Sequence, residues 1–212
     1  MSDGARADSS GEATAAVVVE EQGRAALIRF NRPAERNPLS ASTLEQLDEI
    51  VSALAASATL SAIIFAGAGG VFASGADIRE LQTLTPADAL DFSRRGQRLM
   101  QKIADAPQLT IAAIDGFCMG GGLDLALSCD LRIASSRSVF AHPGSRLGII
   151  TGWGGTQRLP RLVGQSRALE MFLTARRLSA AEALDIGLVG RICDDALGCA
   201  LELATTRNRK GD

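Results

Sequence analysis

Apolar positions along this chain alternate between two periods. Short, nearly unbroken apolar runs read as strands: Val17-Val18-Val19-Glu20, Ala25–Phe30, 61–66 and 110–114. The first two flank Glu21-Gln22-Gly23, which reads as their turn, and Asn31-Arg32-Pro33 ends the second. Between these runs lie stretches with helical spacing. Leu44, Leu47, Ile50, Val51 and Leu54 fall on one helix face, with Ser40 or Ser42 available as its N-cap. Thr85-Pro86 opens a longer helix in which Leu90, Phe92, Leu99 and Ile103 keep the period, and proline suits its first turn. Further on, 131–134 and Val139–Ala141 predict short strands, 166–176 and 180–184 helices, 188–192 a strand, and Ala196–Thr205 a last helix. Strands and helices alternate, so the fold class is α/β, with no obvious short-period sequence repeat.

Glycine-rich segments break this pattern where helices begin. The densest is Asp115-Gly116, then Gly120-Gly121-Gly122, then a helical stretch to Cys129-Asp130. Bare backbone lets a ligand atom approach the amides. A helix start also leaves N–H groups without intrahelical partners and positive in dipole, so it can stabilise a developing negative charge. Asp124 lies one helical turn after Gly121 and can share its face. Close helix–sheet packing, with an acid complementing the dipole, explains the same residues. The spacing is neither G-x-G-x-x-G nor a P-loop. Two further segments lead toward helices: Phe72 to Leu81, which turns at Asp77, and Thr151 to Leu159.

Composition narrows the class. The chain has 212 residues, 46% hydrophobic and 22% charged, and fits one domain over 17–205. Residues 1–16 read as a disordered polar tail whose acids, Asp3, Asp8 and Glu12, disfavour a mitochondrial presequence. Residues 206–212 read as a flexible basic tail. A net charge of −2 gives no electrostatic argument for nucleic acid or an anionic membrane, and no apolar run reaches membrane-spanning length. Cys118, Cys129, Cys193 and Cys199 form no C-x-x-C pair and His142 is the sole histidine, so no metal site is expected. The cysteines are expected to be reduced and the protein cytoplasmic.

Four segments in order resemble the enoyl-CoA hydratase/isomerase, or crotonase, family: Asn31-Arg32-Pro33 with Asn37-Pro38-Leu39; Gly75-Ala76-Asp77-Ile78-Arg79-Glu80; Asp115 to Asp130; and Gly154-Gly155-Thr156-Gln157-Arg158-Leu159. The resemblance implies a spiral of strand–strand–helix units and a fatty-acid-type acyl-CoA substrate. It implies a homotrimer or pair of trimers, and no cofactor beyond the coenzyme A carried by the substrate. By motif, the Ala76 and Gly121 amides would form an oxyanion hole for a thioester enolate. Glu35, Arg36, Asp77, Ile78 and Arg79 would line the CoA portion, and Ser74 and Trp153 the acyl pocket. An exposed arginine such as Arg79 is as readily explained as solvated, and Trp153 as core.

The chain also departs from the family pattern. Hydratases of the family use two glutamates. The first position is Asp124 here and the second is Gly144; a further acid used by other branches falls on the bare Gly152. The family also continues into more C-terminal helices, so a shortened C-terminal helical region is expected. The leading expectation is a lyase or isomerase acting on a 2-enoyl-CoA through Asp124. Alternatives are another acyl-CoA chemistry assisted by His142 or Ser145, and an impaired crotonase-fold protein that binds acyl-CoA or a protein partner. His142 beside Pro143 reads first as structural. Asp77, Asp115 and Asp130 read as helix-start, turn or strand-end acids with backbone hydrogen bonds.

Overall fold

A computed structural model describes residues 15–206. The expected tails therefore fall outside the described residues except at their inner ends. There Ala16 is buried and its carbonyl accepts from the Asn31 amide, so the folded chain already includes it.

The chain opens with β1 (Val17–Gln22) and β2 (Ala25–Phe30), an antiparallel hairpin. Pairing runs out to Gln22 opposite Ala25, so Glu21 and Gln22 belong to the strand, and Gly23 takes the positive φ of the turn. β3 (Pro38–Leu39) leads to α1 (Ala41–Ala55). Ser40 is its N-cap and accepts from the Thr43 amide. Then come β4 (Ala62–Gly67), β5 (Val71–Ala73), β6 (Gly75–Ala76), α2 (Ile78–Leu81) and α3 (Pro86–Ala104). Thr85 and Asp88 close a capping box on α3, with Pro86 just inside. β7 (Leu109–Ile114), β8 (Phe117–Met119) and α4 (Gly121–Ser128) follow. β9 (Leu131–Ser135) and β10 (Val139–Ala141) precede a 3-10 turn, Pro143–Leu147, and α5 (Gly155–Val163). The chain closes with α6 (Gln165–Thr174), β11 (Leu178–Ser179), α7 (Ala180–Asp185), β12 (Arg191–Cys193) and α8 (Ala196–Thr205).

Successive units repeat one path. A first strand joins the six-stranded sheet β1-β2-β4-β7-β9-β12, a second joins the smaller sheet β11-β10-β8-β5, and a helix follows. β4-β5-α3, β7-β8-α4 and β9-β10-α5 each do this, and their first strands pair in parallel. The result is the strand–strand–helix spiral expected from the resemblance.

The unbroken apolar strands are explained by burial on both faces. On β7, Ala112 and Ile114 join the inner core with Phe65, Leu99 and Leu123. Leu109, Ile111 and Ala113 face the other way, onto Ala196, Ala200 and Ala204 of α8. The large sheet is thus a wall whose inner side carries the small sheet and the helices that frame the site.

Two expectations near the end of the chain need correction. Leu188 and Val189 are not strand residues: both amides bond back to the Ala183 carbonyl, completing the turn after α7 that Gly187 allows at positive φ. Cys193 and Cys199 are not free thiols but a disulfide linking the end of β12 to the first turn of α8, with Cα atoms 6.7 Å apart. Sequence spacing could not show that the intervening turn brings them together. Cys118 and Cys129 are buried and take no part in this disulfide.

Candidate active site

Three of the four motif segments line one cavity of about 720 Å³, and the fourth, 154–159, lies behind Asp124, against which a Cβ at Gly155 would press. Its backbone floor comes from β6 and the start of α4. Gly121 is the first residue of α4, so its amide has no acceptor within the helix. Gly120 precedes it at φ 50, a conformation glycine adopts without steric cost. A Cβ at Gly75 would lie 2.7 Å from the Gly121 nitrogen, so these two backbones touch only because position 75 is bare. Ala76, paired with Leu39 across β3 and β6, borders the same space.

The site positions that the family resemblance assigned all line this cavity: Ala76, Gly121, Asp124, Gly144, Glu35, Arg36, Ser74, Asp77, Ile78, Arg79 and Trp153. The mouth carries the charges. Arg79 bridges Asp77 (2.8 Å) and Glu35 (3.2 Å) in the open, where such pairs add little stability. Asp77 is also the N-cap of α2 and accepts from the Arg79 amide, and these bonds hold its carboxyl below the usual range. Its expected helix-start role is therefore met. Asn37, in the first motif, is structural. Its side chain bonds the Val71 carbonyl (2.6 Å) and the Arg32 amide (2.8 Å), pinning β5 to the loop before β3.

Trp153 is buried against Phe92 of α3, with ring centroids 5.4 Å apart. Side chains at Gly96 or Gly121 would overlap its ring. The indole thus fills the cavity end beside the oxyanion candidates. A substitution at Gly121 disturbs this packing as well as the amide.

Asp124 projects inward from α4 and is almost fully buried. Thr151 donates a short hydrogen bond to Oδ2, while Oδ1 has no hydrogen-bond partner among the described residues. Burial raises this carboxyl to about 7, although the Thr151 hydroxyl, the Trp153 amide and the Arg158 charge all pull it down. A Cβ at Gly155 would overlap Oδ1, so that glycine keeps the carboxylate's place open. His142 Nε2 lies 3.5 Å from Oδ1. Burial lowers this imidazole to about 4. The sequence offered no signal for Thr151 as a carboxylate partner; His142, which it named as a possible assisting group, does line the cavity.

Gly144 brings no side chain to the cavity, and a Cβ there would stand 2.7 Å from the Ile149 carbonyl oxygen. Gly152 also lines it, and a Cβ there would press on the Ser93 hydroxyl at 2.9 Å. Ser145 is exposed and does not line the cavity, so it is not placed to assist chemistry there. Asp130 accepts from the Thr110 amide (2.8 Å) and hydroxyl, as expected of a strand-end acid. Asp115 departs from expectation: its partners are the side chains of Ser135 and Arg137 rather than backbone. Among the described residues no cluster of three or more His, Cys, Asp or Glu side chains could hold a metal ion, and no helix is long and apolar enough to cross a membrane.

Comparison with known proteins agrees with this geometry. A family model described as enoyl-CoA hydratase/isomerase matches residues 20–210. The chain is 38% identical over 191 residues to a short-chain-enoyl-CoA hydratase of Clostridium acetobutylicum, covering 89% of this chain and 73% of that one. It is 39% identical over 177 residues to a crotonyl-CoA hydratase of Syntrophomonas wolfei, covering 83% and 68%. Among solved structures, an enoyl-CoA hydratase of Bacillus anthracis superposes with a TM-score of 0.87 at 35% identity, covering 91% of this chain and 76% of that chain. Pseudomonas aeruginosa DspI gives the same TM-score at 36% identity, covering 94% and 83%. By sequence and by fold, the chain belongs to the enoyl-CoA hydratase/isomerase family.

Proposed function

We propose that the protein hydrates a short 2-enoyl-CoA, with Asp124 as an acid–base group and the Ala76 and Gly121 amides as the oxyanion hole. The observation that carries this reading is the Asp124 carboxyl: nearly buried, free at Oδ1, and on the same cavity wall as the first amide of α4. Hydration pushes negative charge onto the thioester oxygen as an enolate. Two preorganised amides suit that charge, and removing one such donor typically costs about 3–4 kcal/mol of barrier. The carboxyl, raised to about 7, is poised to exchange a proton near neutral pH. The CoA portion is taken up at the mouth by Glu35, Arg36, Asp77, Ile78 and Arg79, and the acyl group lies between Ser74 and Trp153. The relatives named as short-chain-enoyl-CoA and crotonyl-CoA hydratases support a short acyl chain, as does the indole that fills the cavity end.

The test is incubation with 2-butenoyl-CoA, following loss of the conjugated thioester absorbance and the mass of the product. Formation of the water adduct supports hydration. An unchanged 2-butenoyl-CoA pool beside retained CoA binding favours the binding-protein alternative, which the bare Gly144 makes concrete.

A further inference from the structure

The cavity holds a second buried polar atom that the chemistry above leaves unused. His142 sits at the end of β10, where it caps the 3-10 turn Pro143–Leu147. Its side chain is 3% exposed and its Nε2 has no hydrogen-bond partner among the described residues. Asp124 Oδ1, equally without a partner, lies 3.5 Å away, too far for a strong hydrogen bond. Two complementary atoms are thus buried side by side and unsatisfied at the wall of one cavity, an arrangement that is unfavourable unless something else occupies it. An oxygen placed between and in front of them would bond to both. Gly144, two residues on, adds no side chain to compete for that place.

We propose that His142 is the second catalytic group of this site: its Nε2 takes a proton from the attacking water, while the Asp124 carboxyl gives one to the α carbon. This rests on the hydration reading above. The step balances without any further reactant. The water oxygen bonds to the β carbon, and one water proton passes to Nε2. The π electrons of the enoyl double bond move onto the thioester as an enolate held by the two amides. The enolate then takes the Asp124 proton at the α carbon. The pair is left as imidazolium and carboxylate, and a proton returning from Nε2 to Oδ1 restores the starting state. The net change is addition of one water.

The resting charges favour this assignment. Burial keeps His142 neutral near pH 7, so Nε2 can accept, and lets Asp124 keep its proton to about the same pH. The other groups around the pair do not reverse this. Arg158 on α5 lowers the Asp124 carboxyl, the Cys118 thiol on β8 is itself raised by burial and uncharged, and Thr151 and Phe172 do not titrate. One face of the imidazole leans on Phe172, with ring centroids 5.0 Å apart, which fixes its tilt.

The test uses the full chain, His142→Gln and His142→Ala with 2-butenoyl-CoA, and butanoyl-CoA as an unreactive ligand. The expected result is a fall in kcat of about 100-fold or more in both variants. KM and butanoyl-CoA affinity should stay within about twofold, and added imidazole should restore part of the His142→Ala turnover. A merely structural histidine would not give that rescue. If the variants do not fold, the parent protein decides. His142 is the only histidine, so its ring-nitrogen resonances need no assignment. Saturation with 3-hydroxybutanoyl-CoA should shift Nε2 selectively, because the product hydroxyl occupies the water's place. A His142→Gln variant that folds and hydrates at the parental rate overturns this proposal alone, as does an unmoved Nε2 resonance. A parent protein that hydrates no enoyl-CoA overturns both this and the reading beneath it.

Discussion

Asp124→Asn should make this protein more stable and less active, and the gain in stability should depend on pH. The folded carboxyl holds its proton to about pH 7, whereas a solvent-exposed aspartate gives it up near 3.8. Between these values the unfolded chain has released a proton that the folded protein keeps. Stability therefore falls as pH rises through this window and levels off above it. With one pKa unit worth about 1.4 kcal/mol, the carboxyl costs the fold roughly 2 kcal/mol at pH 5 and roughly 4 kcal/mol at pH 8. Asparagine removes that cost. It keeps an acceptor for the Thr151 hydroxyl, and its amide can point along the direction in which Oδ1 faces His142 Nε2. Urea unfolding of parent and variant at pH 5, 6, 7 and 8 should show the variant's advantage growing by roughly 2–3 kcal/mol across the series. That is a large share of the roughly 5–15 kcal/mol that holds a domain together. An advantage that stays constant to within about 0.5 kcal/mol over this range would refute the buried, raised carboxyl.

Thr151→Val removes the hydroxyl that holds the Asp124 carboxyl down, so the pH–rate limb that Asp124 sets should move to higher pH; an unmoved limb would show that the hydroxyl does not bond the reactive carboxyl. Trp153→Ala should cost about 3–5 kcal/mol in thermal unfolding and shift kcat/KM toward longer acyl chains. Unchanged chain-length preference would remove Trp153 from the acyl wall. Gly144→Glu should not create a faster hydratase: its Cβ would stand 2.7 Å from the Ile149 carbonyl oxygen, so the turn must shift at a cost of about 1–3 kcal/mol. A variant as stable as the parent and faster on 2-butenoyl-CoA would contradict this.

Much of the fold was legible because local signals agreed with the global path. Ser40, Thr85 and Pro86 mark helix starts, and each does so by a bond or a φ value that needs no distant partner. The apolar run of β7 is strand-like in sequence because both of its faces are covered. Errors came where tertiary pairing decides. Leu188 and Val189 look like strand residues, yet their amides are taken by the Ala183 carbonyl. Cys193 and Cys199 meet only because β12 turns directly into α8. At the site, motif order located the glycines, Ala76 and Asp124, since backbone approach constrains residue type. It did not reveal the Thr151 bond or the His142 neighbour. These come from the loop 149–153 and the end of β10, which are distant in sequence from Asp124 and leave no periodic trace.

The most direct test of the central claim compares Asp124→Asn with the parent protein in 2-butenoyl-CoA hydration, with butanoyl-CoA affinity measured in parallel by calorimetry. The account predicts that turnover falls by about 100-fold or more while affinity stays within about twofold, because Asp124 moves a proton and the mouth residues hold the coenzyme. Hydration at the parental rate by a folded Asp124→Asn protein would contradict it.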